Sequence, residues 1–238
     1  MKKTIIAIGG GEIRAKDTYG IDEYIADRAK SIAGERRACG LFLPTASHDF
    51  FPYYNSFHKT YTGEFGIKTD VALTVFKESD PEKLKAKFDK ADFLYVGGGD
   101  TLFMLESWRQ SGVLRLVQEF YERGGLVCGL SAGAICYFSE MYTDSASAGT
   151  GERYNLWQGL GWVQGLVSPH YNLRQADFDA ALLRRGGSAL ALEDRSAVVV
   201  EDGRIVRSVC CGGNAYLLRV ENGAIVRERI PDDPFCAE

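Results

Sequence analysis

Five short apolar runs, Thr4–Ile8, Gly40–Pro44, Asp70–Val75, Asp92–Val96 and Gly125–Gly129, alternate with helix-patterned segments over the first part of the chain. The intervening helices are expected near Asp22–Ala33, Pro81–Lys90, Thr101–Ser111 and Leu114–Arg123, the last lying between Gly112 and Gly124-Gly125. A chain that alternates in this way builds βαβ units, because each strand needs a helical crossover before the next parallel strand can pair. Beyond residue 189 the pattern changes. Asp202-Gly203 and Asn222-Gly223 separate short runs, pairing Ala197–Val200 with Ile205–Val209 and Ala215–Val220 with Ala224–Arg229. Asp-Gly and Asn-Gly favour two-residue hairpin turns because both central positions adopt positive φ. The expected fold class is therefore α/β: a doubly wound, mostly parallel sheet with helices on both faces and an antiparallel C-terminal extension. With 238 residues and no linker-like tract, the chain is expected to form a single domain over residues 1–238.

Several function classes fall away on simple counts. Lys and Arg total 28 against 32 Asp and Glu, a net charge of −4, which gives no electrostatic reason to expect nucleic acid or an anionic membrane as partner. The apolar stretch after the initial Met-Lys-Lys covers only Ile5 to Ile8, too short for a signal peptide or a membrane span. A cytoplasmic location is expected. The six cysteines, at 39, 128, 136, 210, 211 and 236, include no Cys-x-x-Cys pair, so free and mostly buried thiols are expected rather than disulfides or zinc. With only three histidines, His48, His58 and His170, no metal ligand set is apparent and no cofactor is expected.

The chemistry concentrates at Gly129-Leu130-Ser131-Ala132-Gly133, which follows an apolar run and precedes a helix-compatible one. Small residues on both sides of a serine allow a sharp strand-to-helix turn that lifts the hydroxyl to the top of a sheet. The next backbone N–H, that of Ala132, would then face a developing oxyanion. A second glycine cluster, Val96-Gly97-Gly98-Gly99-Asp100-Thr101, also joins an apolar run to a helix. It lacks the spacing and the Lys-Ser/Thr of a phosphate loop, so exposed amides beside the nucleophile are the better reading. Gly9-Gly10-Gly11-Glu12 reads as close backbone approach to the same cleft.

A nucleophilic serine needs a base. His170 stands where Gly165-Leu166-Val167-Ser168 meets Pro169, at another strand end. Glu193 and Asp194, after Ala189–Leu192, and Asp144, after Tyr142-Thr143, are the candidate acids. His48 and His58 fall in an aromatic segment with Phe50, Phe51, Tyr53, Tyr54, Phe57, Tyr61 and Phe65. Its helical spacing suits core packing, and its position after Leu41–Pro44 also suits a wall of the cleft.

Taken in order, Val-Gly-Gly-Gly-Asp-Thr, Gly-Leu-Ser-Ala-Gly-Ala, Pro-His-Tyr and Ala-Leu-Glu-Asp resemble the aspartyl dipeptidase (peptidase E) family of serine peptidases, which includes cyanophycinase. The resemblance covers nearly the whole chain. It implies a fold related to class I glutamine amidotransferases and hydrolysis of short peptides without metal or cofactor. It also implies Ser131 as nucleophile, His170 as base, and Gly99 with Ala132 as oxyanion donors. Asp194 is the implied acid, with Glu193 and Asp144 as alternatives. Gly98, Asp100 and Arg174 are the candidate substrate contacts. The segment Asn172–Asp177 does not reproduce the arginine-bearing stretch that follows the histidine in this family, which sets apart the question of an Asp-X substrate. A small peptide is the expected partner, and a homodimer is allowed. Rival readings are an esterase or amidase with the same triad, and a non-catalytic binding module on an amidotransferase-like fold.

Overall fold

Thr4–Ile8 (β1) is buried on both faces: Ile5 and Ala7 enter one core cluster, Ile6 and Ile8 another. That is the mark of a central strand in a two-sided sheet. In the computed structural model, which describes residues 2–76, 80–145 and 153–232, β1 is followed by α1 (Tyr19–Ala33), β2 (Cys39–Leu43), α2 (Phe51–His58) and β3 (Lys68–Val71). Then come α3 (Pro81–Lys90), β4 (Phe93–Val96), α4 (Thr101–Ser111), α5 (Val113–Glu122), β5 (Leu126–Leu130) and the short α6 (Ala132–Ile135). The remainder comprises β6 (Phe138–Thr143), β7 (Asn155–Gln158), β8 (Val163–Ser168), α7 (Tyr171–Arg185), β9 (Ser188–Leu192), β10 (Ser196–Glu201), β11 (Arg204–Cys210), β12 (Ala215–Glu221) and β13 (Ala224–Arg229).

Seven strands form the first sheet in the order β11-β10-β1-β5-β4-β2-β3. The run from β1 to β3 is parallel, and β10 and β11 add antiparallel at the β1 edge. One face packs on α1, α2 and the π-helical turn Lys59–Glu64, through Ile21, Ile25, Phe57 and Tyr61. The other packs on α3, α4 and α5, through Phe88, Trp108, Val117 and Phe120. The expected doubly wound α/β fold is thus found.

A six-stranded second sheet, β13-β12-β9-β8-β6-β7, was not visible in the sequence. Its alternating residues serve two cores: Leu190 and Leu192 of β9 join the cluster of the first sheet, while Ala189 and Ala191 pack beneath α7 with Phe178 and Leu182. The two C-terminal hairpins therefore part company, one extending each sheet.

Local chemistry explains where the elements stop. Asp80 caps α3 by accepting from the N–H groups of Glu82 and Lys83, and Pro81 presets the first turn. The expected strand Asp70–Val75 ends early, at Val71, because the buried Asp49 carboxylate accepts the N–H groups of Thr74, Val75 and Phe76 and bends the chain. No helix among the described residues is long and apolar enough to cross a membrane. The five described cysteines are unpaired, and Cys236 lies outside the described residues.

Candidate active site

The strands β1, β5 and β4 lie side by side and end at Gly9-Gly10-Gly11, Ser131 and Gly97-Gly98-Gly99 respectively. Ser131 leaves β5 at φ 52°, ψ −110°, a strained conformation for a side-chain-bearing residue. The flanking glycines are there because nothing larger fits. A Cβ on Gly129 would lie 1.9 Å from the Gly133 carbonyl oxygen, and one on Gly133 would lie 2.3 Å from that of Val96.

His170 is brought to the same point from the second sheet. It follows β8, adopts φ 50° as the residue before α7, and donates its backbone N–H to the Gly9 carbonyl at 3.0 Å. Its Nε2 lies 2.8 Å from Ser131 Oγ and its Nδ1 2.5 Å from Asp194 Oδ1. Asp194 sits between β9 and β10, and its second oxygen accepts from Asn172 Nδ2 at 3.1 Å. Asn172 Oδ1 in turn accepts the Asp194 N–H at 2.9 Å. Burial pushes the Asp194 carboxyl up, but the hydrogen bonds from His170 and Asn172 and the nearby Arg174 charge outweigh it and hold the group below its ordinary value. An ionised Asp194 can only accept, so Nδ1 carries the proton. In a neutral imidazole Nε2 is then free to accept from the Ser131 hydroxyl.

The other acids are engaged elsewhere. Glu193 Oε2 accepts from the backbone and side-chain N–H groups of Asn214. Asp144 pairs with Arg174 at 3.4 Å. The Arg174 guanidinium also donates to the Tyr142 carbonyl and stacks over the Tyr154 ring at 4.6 Å, and the residue is only 7% exposed. Asp100 accepts from the Phe103 N–H as the cap of α4, a structural role not assigned from sequence.

Around the serine, Gly98 lies so close that its Cβ would be 3.5 Å from that of Ser131. Its N–H is donated to the Tyr53 hydroxyl at 3.2 Å. Gly99 adopts φ 139° against the Ala46 carbonyl, where a Cβ would approach to 2.1 Å. The N–H groups of Gly99 and Ala132 have no hydrogen-bond partner among the described residues. His48 stacks on Phe103 and His58 bonds Thr69, so neither enters the site. Burial drives the Cys128 thiol well above its usual range inside β5, which suits a packing role. Among the described residues no group of three His, Cys, Asp or Glu could hold a metal ion.

The aromatic segment is divided between two places. Phe57 and Tyr61 are core, whereas Phe50, Pro52 and Tyr53 line, with Gly11–Arg14, a cleft of ≈ 370 Å³ whose lining includes no triad residue. One site feature escaped the sequence reading, and another was read only as a close backbone approach. Asn172 opens the segment that departs from the family pattern, but its reciprocal clamp on Asp194 depends on a helix start, α7, that the pattern did not reveal. Gly10 packs on the pair itself: its Cβ would fall 1.9 Å from Asp194 Oδ1 and 2.3 Å from His170 Nδ1. Gly10→Ala is therefore expected to push the imidazole off Ser131 and lower kcat at least about 10²-fold, since a displacement near 1 Å costs that much. Steady-state kinetics on the folded variant checks this, with unchanged circular dichroism confirming a local effect.

Comparison with known proteins yields a consistent set. Residues 5–207 match the family model described as peptidase family S51. An uncharacterized peptidase of Bacillus subtilis, YgaJ, is 36% identical over 171 residues, covering 71% of this chain and 69% of the relative. A peptidase of Listeria monocytogenes is 31% identical over 134 residues, covering 55% of this chain and 64%, just under two thirds, of the relative. Among solved structures, a peptidase from an acI-B1 actinobacterium superposes with a TM-score of 0.71 at 16% identity, covering 98% of this chain and 95% of the other. A putative peptidase E protein from Listeria monocytogenes gives 0.62 at 19% identity, covering 89% and 100%.

Proposed function

Because this chain belongs to peptidase family S51, a family of serine-type peptidases, we propose that it hydrolyses short peptides, in the manner of a dipeptidase, with Ser131, His170 and Asp194 as its catalytic triad. The observation that carries the reading is the hydrogen-bonded chain in which one imidazole bridges the serine hydroxyl and a clamped carboxylate.

Ser131 Oγ attacks the carbonyl carbon of the scissile bond while His170 Nε2 takes its proton. Asp194, held ionised, stabilises the resulting imidazolium and keeps the ring oriented. The carbonyl oxygen becomes an anion and is met by the N–H groups of Gly99 and Ala132, each donor of this kind contributing about 10²–10³ in turnover. Both are backbone groups, which side-chain substitution does not remove. The tetrahedral adduct then collapses: the C–N bond breaks, Nε2–H passes its proton to the leaving amine, and an acyl-enzyme remains on Ser131. Water, deprotonated by His170, attacks the ester carbonyl; the C–Oγ bond then breaks, His170 returns the proton to Ser131 Oγ, and the acid product leaves.

Ser131 comes from the first sheet and His170 from the second, so we read residues 1–238 as one catalytic unit. A short peptide is its partner. The unpaired thiols among the described residues suit a reducing compartment such as the cytoplasm.

An ester or a non-peptide amide would meet the same triad, and a substrate panel separates the cases. Dipeptides and tripeptides are compared with short-chain p-nitrophenyl esters, and release of free amino acids is followed. Cleavage of at least some dipeptides with catalytic efficiency in the ordinary enzymatic range, about 10⁴ M⁻¹s⁻¹ or more, is expected. Ester cleavage with no peptide cleaved would overturn the peptidase specificity.

A further inference from the structure

Beside the catalytic residues lies a cleft with an arginine that no carboxylate of the described residues pairs with. Arg14 is exposed and has no ion pair or hydrogen bond among the described residues, unlike Arg36, Arg123, Arg185 and Arg227, which pair with carboxylates. The backbone of its loop is fixed on both sides of it. Ile13 is buried, the Lys16 N–H donates to the Ile13 carbonyl, and the Asp17 carboxylate accepts the Glu12 N–H. Arg14 lines both the cleft of ≈ 370 Å³ and an adjoining hollow of ≈ 220 Å³ that runs along the π-helical turn Lys59–Glu64. Such turns are frequent at functional sites.

Two residues of the cleft lining border the neighbours of the reacting centre. Gly11 follows Gly10, which packs on His170 and Asp194, and Tyr53 holds the N–H of Gly98 beside Ser131. His170 must deliver a proton to the leaving amine, so the amine-side residue of a substrate departs on the imidazole side, where the Gly11–Arg14 loop begins. In a dipeptide that residue ends in a carboxylate whose carbon is two bonds, about 2.5 Å, from the amine nitrogen. Every short peptide has this group whatever its side chains. The charges around the two hollows favour it: Arg14, Lys16 and Lys59 stand against Glu12 and Glu64, and Lys16 is already paired with Glu64. Phe50, Pro52 and Tyr53 offer the accompanying side chain an apolar wall.

We propose that Arg14 is a specificity residue that binds the free C-terminal carboxylate of the substrate's leaving residue, restricting the enzyme to short peptides with an unblocked C-terminus. The proposal rests on the triad reading above for the direction in which the substrate lies. Its test does not depend on turnover. Binding of Ala-Phe and of Ala-Phe amide to the Ser131→Ala protein is measured by calorimetry, with and without Arg14→Gln. The acid is expected to bind at least about tenfold more tightly than the amide, as a charge-assisted hydrogen bond of about 1.5–3 kcal/mol implies. Arg14→Gln should abolish that preference and Arg14→Lys should restore part of it. Equal binding of acid and amide, no binding of either, or a preference that survives Arg14→Gln overturns the proposal. The triad reading fails separately, if wild-type protein shows no Ser131-dependent hydrolysis.

Discussion

Ser131→Ala is expected to lower kcat for peptide hydrolysis by about 10⁶-fold, and His170→Ala by a similar factor, because serine and imidazole act as one unit. The attacking oxyanion forms only as the proton moves to Nε2, so removing either partner removes the same step. The double variant Ser131→Ala/His170→Ala should accordingly be no slower than either single one. What survives in all three is the contribution of the Gly99 and Ala132 amides and of binding, about 10³–10⁴ over the uncatalysed reaction. Single-turnover and steady-state measurements on the three proteins check this. Multiplicative losses would mean that the two residues work independently.

Asp194→Asn carries the next largest effect, about 10⁴-fold in kcat. The change preserves shape but reverses a hydrogen bond. An amide at this position can donate its N–H to His170 Nδ1, which forces the ring proton onto Nε2, and an Nε2–H cannot accept the Ser131 proton. The same experiment settles the acid. Glu193 is bonded to Asn214 and Asp144 to Arg174, so Glu193→Gln and Asp144→Asn are expected to stay within about threefold of wild-type kcat, as substitutions that leave the triad intact should. A collapse of activity in either, with Asp194→Asn still active, would move the third role to that residue.

Much of this site was legible because its elements are set by local rules. Strands that are apolar at nearly every position, β1, β4 and β5, announce a buried parallel sheet. The helices expected from Pro81 and Thr101 do start there, although the caps Asp80 and Asp100 were not read as such. The crowding at Gly129 and Gly133 leaves its trace directly in the Gly-x-Ser-x-Gly spacing. The second sheet was hidden for the opposite reason. β6 has its register broken between Phe138 and Glu140, and β7 exposes Leu156 and Trp157, so neither shows a clean period of two. α7 starts immediately after Pro169-His170 with no capping side chain. Contacts between distant segments were also out of reach. Nothing local to Gly10 says that His170 and Asp194 will pack against it, nor does Asn172 advertise its clamp. Arg14 escaped notice because a single exposed arginine acquires meaning only when the cleft around it is known.

The central claim is that Ser131 is a nucleophile activated by His170, and covalent labelling reads it most directly. A fluorophosphonate probe should phosphonylate Ser131 Oγ with loss of fluoride. Peptide mapping by mass spectrometry should then place one adduct on the segment containing Ser131. The labelling should vanish in Ser131→Ala and slow by at least about 10²-fold in His170→Ala, the range expected for loss of a general base. An adduct on another residue, or labelling of Ser131 at the wild-type rate without His170, would contradict the account.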